Sequence, residues 1–266
     1  MFFQKPFSQE EIDESIRFHE KVFYPSRFNF LKQVNGIRPN SLMGLLGTPG
    51  SGKSTLLKSI VADTAEYTKV LVYLTEENPK DYQILLNVLK TNLENVVFLH
   101  EKDLFHANMT LEQMKMYFEE SVAASGANVI FFDNITTSAI YEPLPVRQQG
   151  EMVSFFSRIC EKYSISIFFV AHTKKEVTDN QSSLIEGEDT RGSNQLFQQS
   201  QYFFILQNFS VNNDKFPTLR IRKHRFHKVK KFFFLLGFQD EAYRFDRDVD
   251  FEYVADIFKQ RNQLKR

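Results

Sequence analysis

The sequence is poor in features that would place it in several large classes. Its single cysteine, Cys160, excludes an internal disulfide and fits a reducing compartment. Tryptophan is absent, and the 29 phenylalanines fill the bulky strand positions instead. Neither sign of charge is in excess: 33 Lys and Arg balance 33 Asp and Glu. No global field therefore draws the chain to nucleic acid or to an anionic membrane, and any such binding must come from local clusters. No apolar run reaches the about 18 residues a membrane-spanning helix needs. Met1-Phe2-Phe3 passes at once into Gln4 and Lys5, unlike a secretory leader. Together these expectations place the chain in a cytoplasm, or a host's cytoplasm if it is viral, with no membrane partner. There is no internal repeat, no low-complexity tract and no convincing boundary for a second domain. At 266 residues and 42% hydrophobic, the chain can bury a substantial core.

What is present is an alternation of short apolar runs and helical patterns. Ser41 to Leu46, Lys69 to Thr75, Val96 to Leu99, Ala127 to Phe132 and Ser166 to Ala171 read as strands. Helical patterns fall at 53–67, from Pro79 to about Thr91, from Met109 to Ala124 and over 146–163. Near-continuous apolar strands alternating with helices predict an α/β fold, a mostly parallel twisted sheet covered on both faces. Residues 173–192 are polar and read as a long loop of the kind that carries function. A short helix (193–199) and runs at Gln201–Gln207, Thr218–Lys223, Val229–Leu236 and Tyr243–Phe245 predict an antiparallel C-terminal extension. The expected organisation is an N-terminal arm (1–25), a core domain (26–250) and a C-terminal helix with a basic tail (251–266). The arm carries an amphipathic helix, capped by Ser8 and Glu11, with Ile12, Ile16, His19 and Phe23 on one face. That face either folds back on its own core or docks on a neighbouring subunit.

Between the first strand and the first long helix lies Gly47-Thr-Pro-Gly-Ser-Gly-Lys-Ser54, which fits G-x-x-x-x-G-K-[ST] at every fixed position. Gly47, Gly50 and Gly52 allow the backbone to wrap around phosphate oxygens, with Thr48, Pro49, Ser51 and Thr55 completing the loop. Amides of the new helix's first turn face the phosphates along its dipole. Lys53 reaches the β- and γ-phosphates, and Ser54 offers its hydroxyl to Mg²⁺. The expected ligands are ATP and Mg²⁺.

Other candidates sit at strand ends, where ligands bind in α/β sheets. Asp133 closes Val129-Ile-Phe-Phe-Asp133 and is the candidate metal residue; the bland alternative is a turn Asp. Glu76, with Glu77 as the alternative, could orient an attacking water, or both could simply be the acidic first turn of the helix after Pro79. His172 ends the next strand and could touch the γ-phosphate and signal to the following loop. Arg220 to Lys231 holds seven cations in twelve residues and no acid. It is a solvated hairpin, or the source of a finger pair, Lys223 and Arg225, for a neighbour's nucleotide. A further alternative places Lys228, Lys230 and Lys231 near nucleic-acid phosphate.

These residues, in this order, resemble the RecA-like ATPases, and within them the DnaB-type hexameric replicative helicases, including phage helicase-primases and Twinkle. The resemblance covers about residues 25–240. Glu76-Glu77 looks like the catalytic glutamate position, Asp133-Asn-Ile-Thr136 like the metal-binding strand end, and Val170-Ala-His172 like the histidine sensor. Asp189-Thr-Arg-Gly-Ser193 resembles the end of the second DNA-binding loop, and Lys223-His-Arg225 the pair that crosses the subunit interface. The resemblance implies an ATP-hydrolysing, ring-forming motor on single-stranded DNA, a homo-oligomer of hexamer type, with Lys174, Lys175, Arg191, Gly192, Ser193 and Asn194 lining the channel. It also implies 5′–3′ translocation and replication partners such as a primase, polymerase or loader. The N-terminal helix would be the linker that docks on the adjacent subunit. Two departures stand out. About 25 residues precede the core where the family carries a collar or primase domain, and Phe226-His-Lys-Val-Lys-Lys231 replaces its glycine-rich turn. The alternative function is a RecA- or KaiC-like ATPase acting as a recombination mediator, switch or helicase accessory without unwinding. A small-molecule P-loop kinase fits less well, since it needs no glutamate after the second strand.

Overall fold

The sheet is built from strands whose central members are buried along their whole length, which requires cover on both faces. In a computed structural model, which describes residues 8–10, 24–105, 109–174, 184–211, 214–225, 229–230, 232–239 and 244–250, nine strands form one sheet in the order β3-β2-β4-β5-β1-β6-β7-β8-β9. The first six in that order are parallel: β3 (Val96–His100), β2 (Val70–Leu74), β4 (Val129–Asp133), β5 (Ser166–His172), β1 (Ser41–Gly47) and β6 (Tyr202–Val211). Three antiparallel strands follow: β7 (Asp214–His224), β8 (Phe233–Gln239) and β9 (Arg244–Asp250). This is the predicted mostly parallel sheet with an antiparallel extension.

Helices lie on both faces because successive strand side chains point to opposite sides. Leu45, Val72, Phe131, Phe168 and Phe204 share one core with Leu56, Leu57 and Ile60 of α2 (Lys53–Ala65). The short α1 (Asn29–Lys32) and α3 (Pro79–Val88) complete that layer. Leu46, Tyr73, Phe132, Phe169 and Phe203 share the other core with Phe118 of α5 (Leu111–Ser125) and with Met152 and Phe156 of α6 (Val146–Tyr163). The remaining helices are the one-turn α4 (Glu101–Leu104) and α7 (Gln195–Gln199). Phenylalanine does fill the strands: Phe131, Phe168 and Phe204 line up across three strands with centroids 6.0 Å apart. Gly44 is what admits the rings on the opposite face, since a Cβ there would come within 2.6 Å of Phe169 and 2.7 Å of Phe203.

Helix α6 spans the predicted residues. The differences fall in the C-terminal third, where β6 and β7 run on as one long hairpin through residues that read as loop. Their polar composition marks solvent exposure, and pairing with the adjacent strand supplies the backbone partners that the sequence pattern does not show. Strand β8 starts later than its apolar run, at Phe233, and β9 extends to Asp250. That extension brings Asp248 to α1, where its carboxylate accepts from Asn29 N (2.5 Å) and Phe30 N (2.7 Å). Ring Phe245 of the same strand would lie 3.2 Å from a Cβ at Gly52, so β9 braces the phosphate loop. The amphipathic face predicted for the N-terminal arm, together with the C-terminal helix and basic tail, lies outside the described residues. Among the described residues no helix is long and apolar enough to cross a membrane.

Candidate active site

Four adjacent strands, β2, β4, β5 and β1, carry the candidate residues at their C-terminal ends. Register fixes the row: Leu74 pairs with Asp133 across β2 and β4, and Gly47 pairs with His172 across β1 and β5. Crossing from β1 to β2 takes α2 over two intervening strands, so the phosphate loop opens into the crevice between the strand ends.

Backbone conformation makes the loop. Gly50 (φ +75°) and Gly52 (φ +94°) take left-handed conformations, and Gly52 is the N-cap residue of α2. At Gly47 the constraint is space rather than torsion, since a Cβ would meet Leu206 O at 2.5 Å and Ser51 Oγ at 2.7 Å. Lys53, 4% exposed, folds back and donates from Nζ to Thr48 O at 2.6 Å. Thr48 Oγ1 and Ser51 Oγ are buried in the same loop with no protein hydrogen-bond partner. Buried hydroxyls are rarely left without partners. Two of them beside a buried lysine and a glycine cradle fit a polyanion such as a triphosphate.

Asp133 is buried behind this loop and accepts from Ser54 Oγ at 3.2 Å. Burial pushes its carboxyl up to about 6; the Ser54 hydrogen bond opposes this, Glu77 adds to it, and Lys58 and Lys53 pull it down. A hydroxyl and a buried carboxylate in contact are the donor set a hard divalent cation takes, so Ser54 and Asp133 fit Mg²⁺. Among the described residues no cluster of three His, Cys, Asp or Glu could hold a metal by itself, as expected where substrate oxygens supply the other ligands.

The two glutamates after β2 are in different situations. Glu77 pairs with Lys58 at 2.7 Å, and Lys58 Nζ also lies 4.8 Å from the Tyr82 ring centroid. Glu76 is exposed and acts on His172. The Asn78 side chain caps α3 by accepting from Lys80 N at 2.8 Å, so the helix start does not require the glutamates.

His172 is half-buried, and its Nδ1 is buried without a hydrogen-bond partner. Burial lowers its pKa to about 4, with Lys53 and Arg191 lowering it further and Glu76 opposing them, so the imidazole is neutral at neutral pH. Its backbone is held on both sides: its N–H donates to Thr136 Oγ1 (3.0 Å) and its carbonyl accepts from Arg191 N (2.9 Å). The Thr173 N–H reaches Gly47 O at 3.4 Å, and Thr173 bridges to Thr190. One strand end therefore touches both the phosphate loop and the 190–194 turn.

The candidate DNA-binding residues divide. Lys174, Gly192 and Asn194 are exposed, with Lys174 Nζ donating to Glu188 O at 2.7 Å. Arg191 is paired with Glu142. Ser193 is buried; its amide donates to Tyr141 OH at 3.1 Å and its Oγ accepts from Gln195 N at 3.2 Å. Lys175 lies outside the described residues, as do Lys228 and Lys231, whereas Lys230 is exposed.

Lys223 and Arg225 are not brought to this site. Lys223 pairs with Phe203, which pairs with Gly44, three residues before Gly47. At roughly 3.3 Å per residue that is about 10 Å back along the sheet, and two strands over. There Lys223 Nζ donates to Phe197 O (2.8 Å) and Gln198 O (2.5 Å), and Arg225 to Gln198 O (2.6 Å), closing the C-terminus of α7. Desolvation, then Arg225, lowers the Lys223 ammonium to about 8. Arg220 and Arg222, in the same basic stretch, pair with Glu186.

Sequence reasoning missed Glu101, Tyr141 and Glu142. Glu101 is a buried carboxylate that accepts from Ser138 Oγ (2.5 Å), Ala139 N (2.6 Å) and Tyr73 OH (3.2 Å). No motif marks these residues, because their partners are distant in sequence.

Comparison with known proteins agrees with this geometry. Residues 29–177 match the model of a family described as "AAA domain". Curated relatives include the DNA repair protein RadA of Listeria monocytogenes, 28% identical over 142 residues (53% of this chain, 30% of the relative). RadA of Halalkalibacterium halodurans is 29% identical over 152 residues (55% of this chain, 32% of the relative). The chain thus spans about a third of the length of the curated relatives it matches. Among solved structures, a helicase ATPase domain aligns with 91% of this chain and 99% of its own, at TM-score 0.71 and 14% identity. A KaiC-like protein of Pyrococcus horikoshii OT3 aligns with 82% of this chain and 94% of its own, at TM-score 0.64 and 15% identity. At these identities the structural likeness carries the fold alone, and that fold is the RecA-like P-loop architecture.

Proposed function

We propose, proceeding from the fact that this chain belongs to the AAA-domain family, that it hydrolyses ATP with Mg²⁺ at sites shared between copies of itself and acts as a ring-forming motor on single-stranded DNA. The supporting observation is a division of parts. Gly47, Asp133, His172 and the Glu76 segment meet at one row of strand ends, whereas Lys223 and Arg225 sit at the far end of the sheet. Phosphoryl transfer needs cationic charge at the leaving oxygens beyond what the phosphate loop supplies. A second copy is the natural source, with its Lys223 and Arg225 completing this chain's site.

In this reading Lys53 exchanges the Thr48 carbonyl for phosphate oxygens, and the Ser51 and Thr48 hydroxyls gain the partners they lack. Ser54 and Asp133 hold Mg²⁺, which when bound offsets charge on the β- and γ-oxygens. Glu76 accepts the proton of the attacking water, while Lys58 keeps Glu77 engaged. Neutral His172 has Nδ1 free for the γ-phosphate and its carbonyl on Arg191, so the phosphate state reaches the 190–194 turn. Lys174, Lys175, Arg191, Gly192 and Asn194 track DNA phosphate, and a hexamer working in a cytoplasm with primase, polymerase or loader contacts is the fullest form of this reading.

The test is complementation. Arg225→Ala and Glu76→Gln should each lack turnover, and mixing the two should restore part of it, because mixed interfaces pair an intact Glu76 with an intact Arg225. No recovery on mixing, or full turnover by Arg225→Ala alone, would refute the shared site. A second reading is favoured by the RadA relatives and the KaiC-like structure. In it the chain is a recombination mediator, switch or helicase accessory. Displacement of a strand from a forked duplex supports the motor; DNA-stimulated ATPase without displacement supports the second reading.

A further inference from the structure

The 190–194 turn is held almost entirely by one other loop, the segment after β4. Tyr141 OH accepts from the Ser193 amide at 3.1 Å, and Glu142 pairs with the Arg191 guanidinium. Gly192, at φ +88°, lies so close that a Cβ would meet Gln149 Oε1 at 2.6 Å and the Tyr141 ring at 3.0 Å. The holding loop is itself fixed: buried Glu101 accepts from Ser138 Oγ at 2.5 Å and Ala139 N at 2.6 Å, and the Tyr141 amide donates to Ser138 O at 3.0 Å. Glu142 is therefore a carboxylate presented by a rigid mount to an arginine on a turn that leads, through its own amide, to the His172 carbonyl.

We infer that Tyr141 and Glu142 are positioning residues for nucleic-acid binding with opposed effects: Tyr141 keeps the turn in its binding shape, and Glu142 occupies Arg191 until a phosphate displaces it. This rests on the nucleic-acid reading above. The Glu142–Arg191 pair has side-chain exposures of 44% and 36%, so phosphate can reach it from solvent. An exposed pair is weak enough for a polyanion to break yet strong enough to register in affinity. Tyr141 is 1% exposed and its hydroxyl is the acceptor for the Ser193 amide, so removing that hydroxyl strands a buried donor. Adjacent residues of one loop thus act in opposite directions, which a purely structural role would not produce.

The test uses the full chain and a fluorescent oligo-dT at fixed ionic strength, with thermal melting of each variant as the folding control. Glu142→Gln should bind about 1.5- to 5-fold tighter, with the gain shrinking as salt screens the pair. Tyr141→Phe should bind about 2- to 10-fold weaker. In an Arg191→Gln background Glu142→Gln should have no effect, an arm that stands even where Tyr141→Phe fails to fold. Unchanged or weaker binding by Glu142→Gln, or the same gain without Arg191, overturns the inference. Wild-type chain that binds no oligo-dT at low salt overturns the nucleic-acid reading itself, and this inference with it.

Discussion

Replacing Asp133 by asparagine should destroy turnover and at the same time stabilise the metal-free protein. Asp133 is 7% exposed and its carboxyl is pushed from 3.8 to about 6. That displacement corresponds to ~3 kcal/mol of cost to keep it ionised in the folded state. The sign follows from proton binding. A carboxyl with a folded pKa above its unfolded one takes up protons on folding, so its ionisation erodes stability as pH rises from about 4 to about 6, and the full cost is present above that. Asparagine carries no charge and its Oδ1 can still accept from Ser54 Oγ, but its buried NH₂ lacks an acceptor, which returns ~1 kcal/mol. The net expectation is a gain of about 2 kcal/mol at pH 7.5 in urea unfolding with chelator present, shrinking by at least half at pH 5. Excess Mg²⁺ and nucleotide should reverse the order, since only the wild type gains from binding. An Asp133→Asn variant no more stable than wild type at pH 7.5, or a gain that does not vary with pH, would refute the assignment of Asp133 as a carboxylate held ionised at a cost for binding.

Two further outcomes follow from the same contacts. Glu76→Gln should lose at least about a hundredfold in turnover, the low end of general-base contributions, with nucleotide affinity retained. Glu77→Gln, which removes only the partner of Lys58, should keep most of its activity in a steady-state ATPase assay. Asp248→Ala strands the amides of Asn29 and Phe30 and should cost about 2–4 kcal/mol in urea unfolding; a change below ~0.5 kcal/mol would mean that α1 does not depend on β9.

Much of the site was legible because its pieces obey local rules. A phosphate loop needs glycines at fixed spacing, a buried strand needs continuous apolar residues, and a ligand-binding α/β sheet presents side chains at strand ends. Gly47–Ser54, Glu76, Asp133 and His172 could therefore be named before their neighbours were known. The choice between Glu76 and Glu77 was open in sequence, and it is the Lys58 contact, 19 positions away, that separates them. Lys223 and Arg225 were legible as a cationic pair, but that they cap α7 depends on the register of β6 with β7. The 208–217 stretch reads as loop because its residues are polar, and only an adjacent strand makes it a hairpin.

The sequence alone therefore determined the class of the fold, the position of the phosphate loop and the strand ends that face it, since each follows from periodicity or from backbone torsion within a few residues. Tertiary structure alone decided which strands are neighbours, which carboxylate is buried, which glutamate stays free, and that the Arg191 turn rests on Tyr141 and Glu142. Those are properties of pairs far apart in the chain. Their physical content, desolvation and charge at a few ångströms, comes into being only when the sheet order 3-2-4-5-1 brings them together.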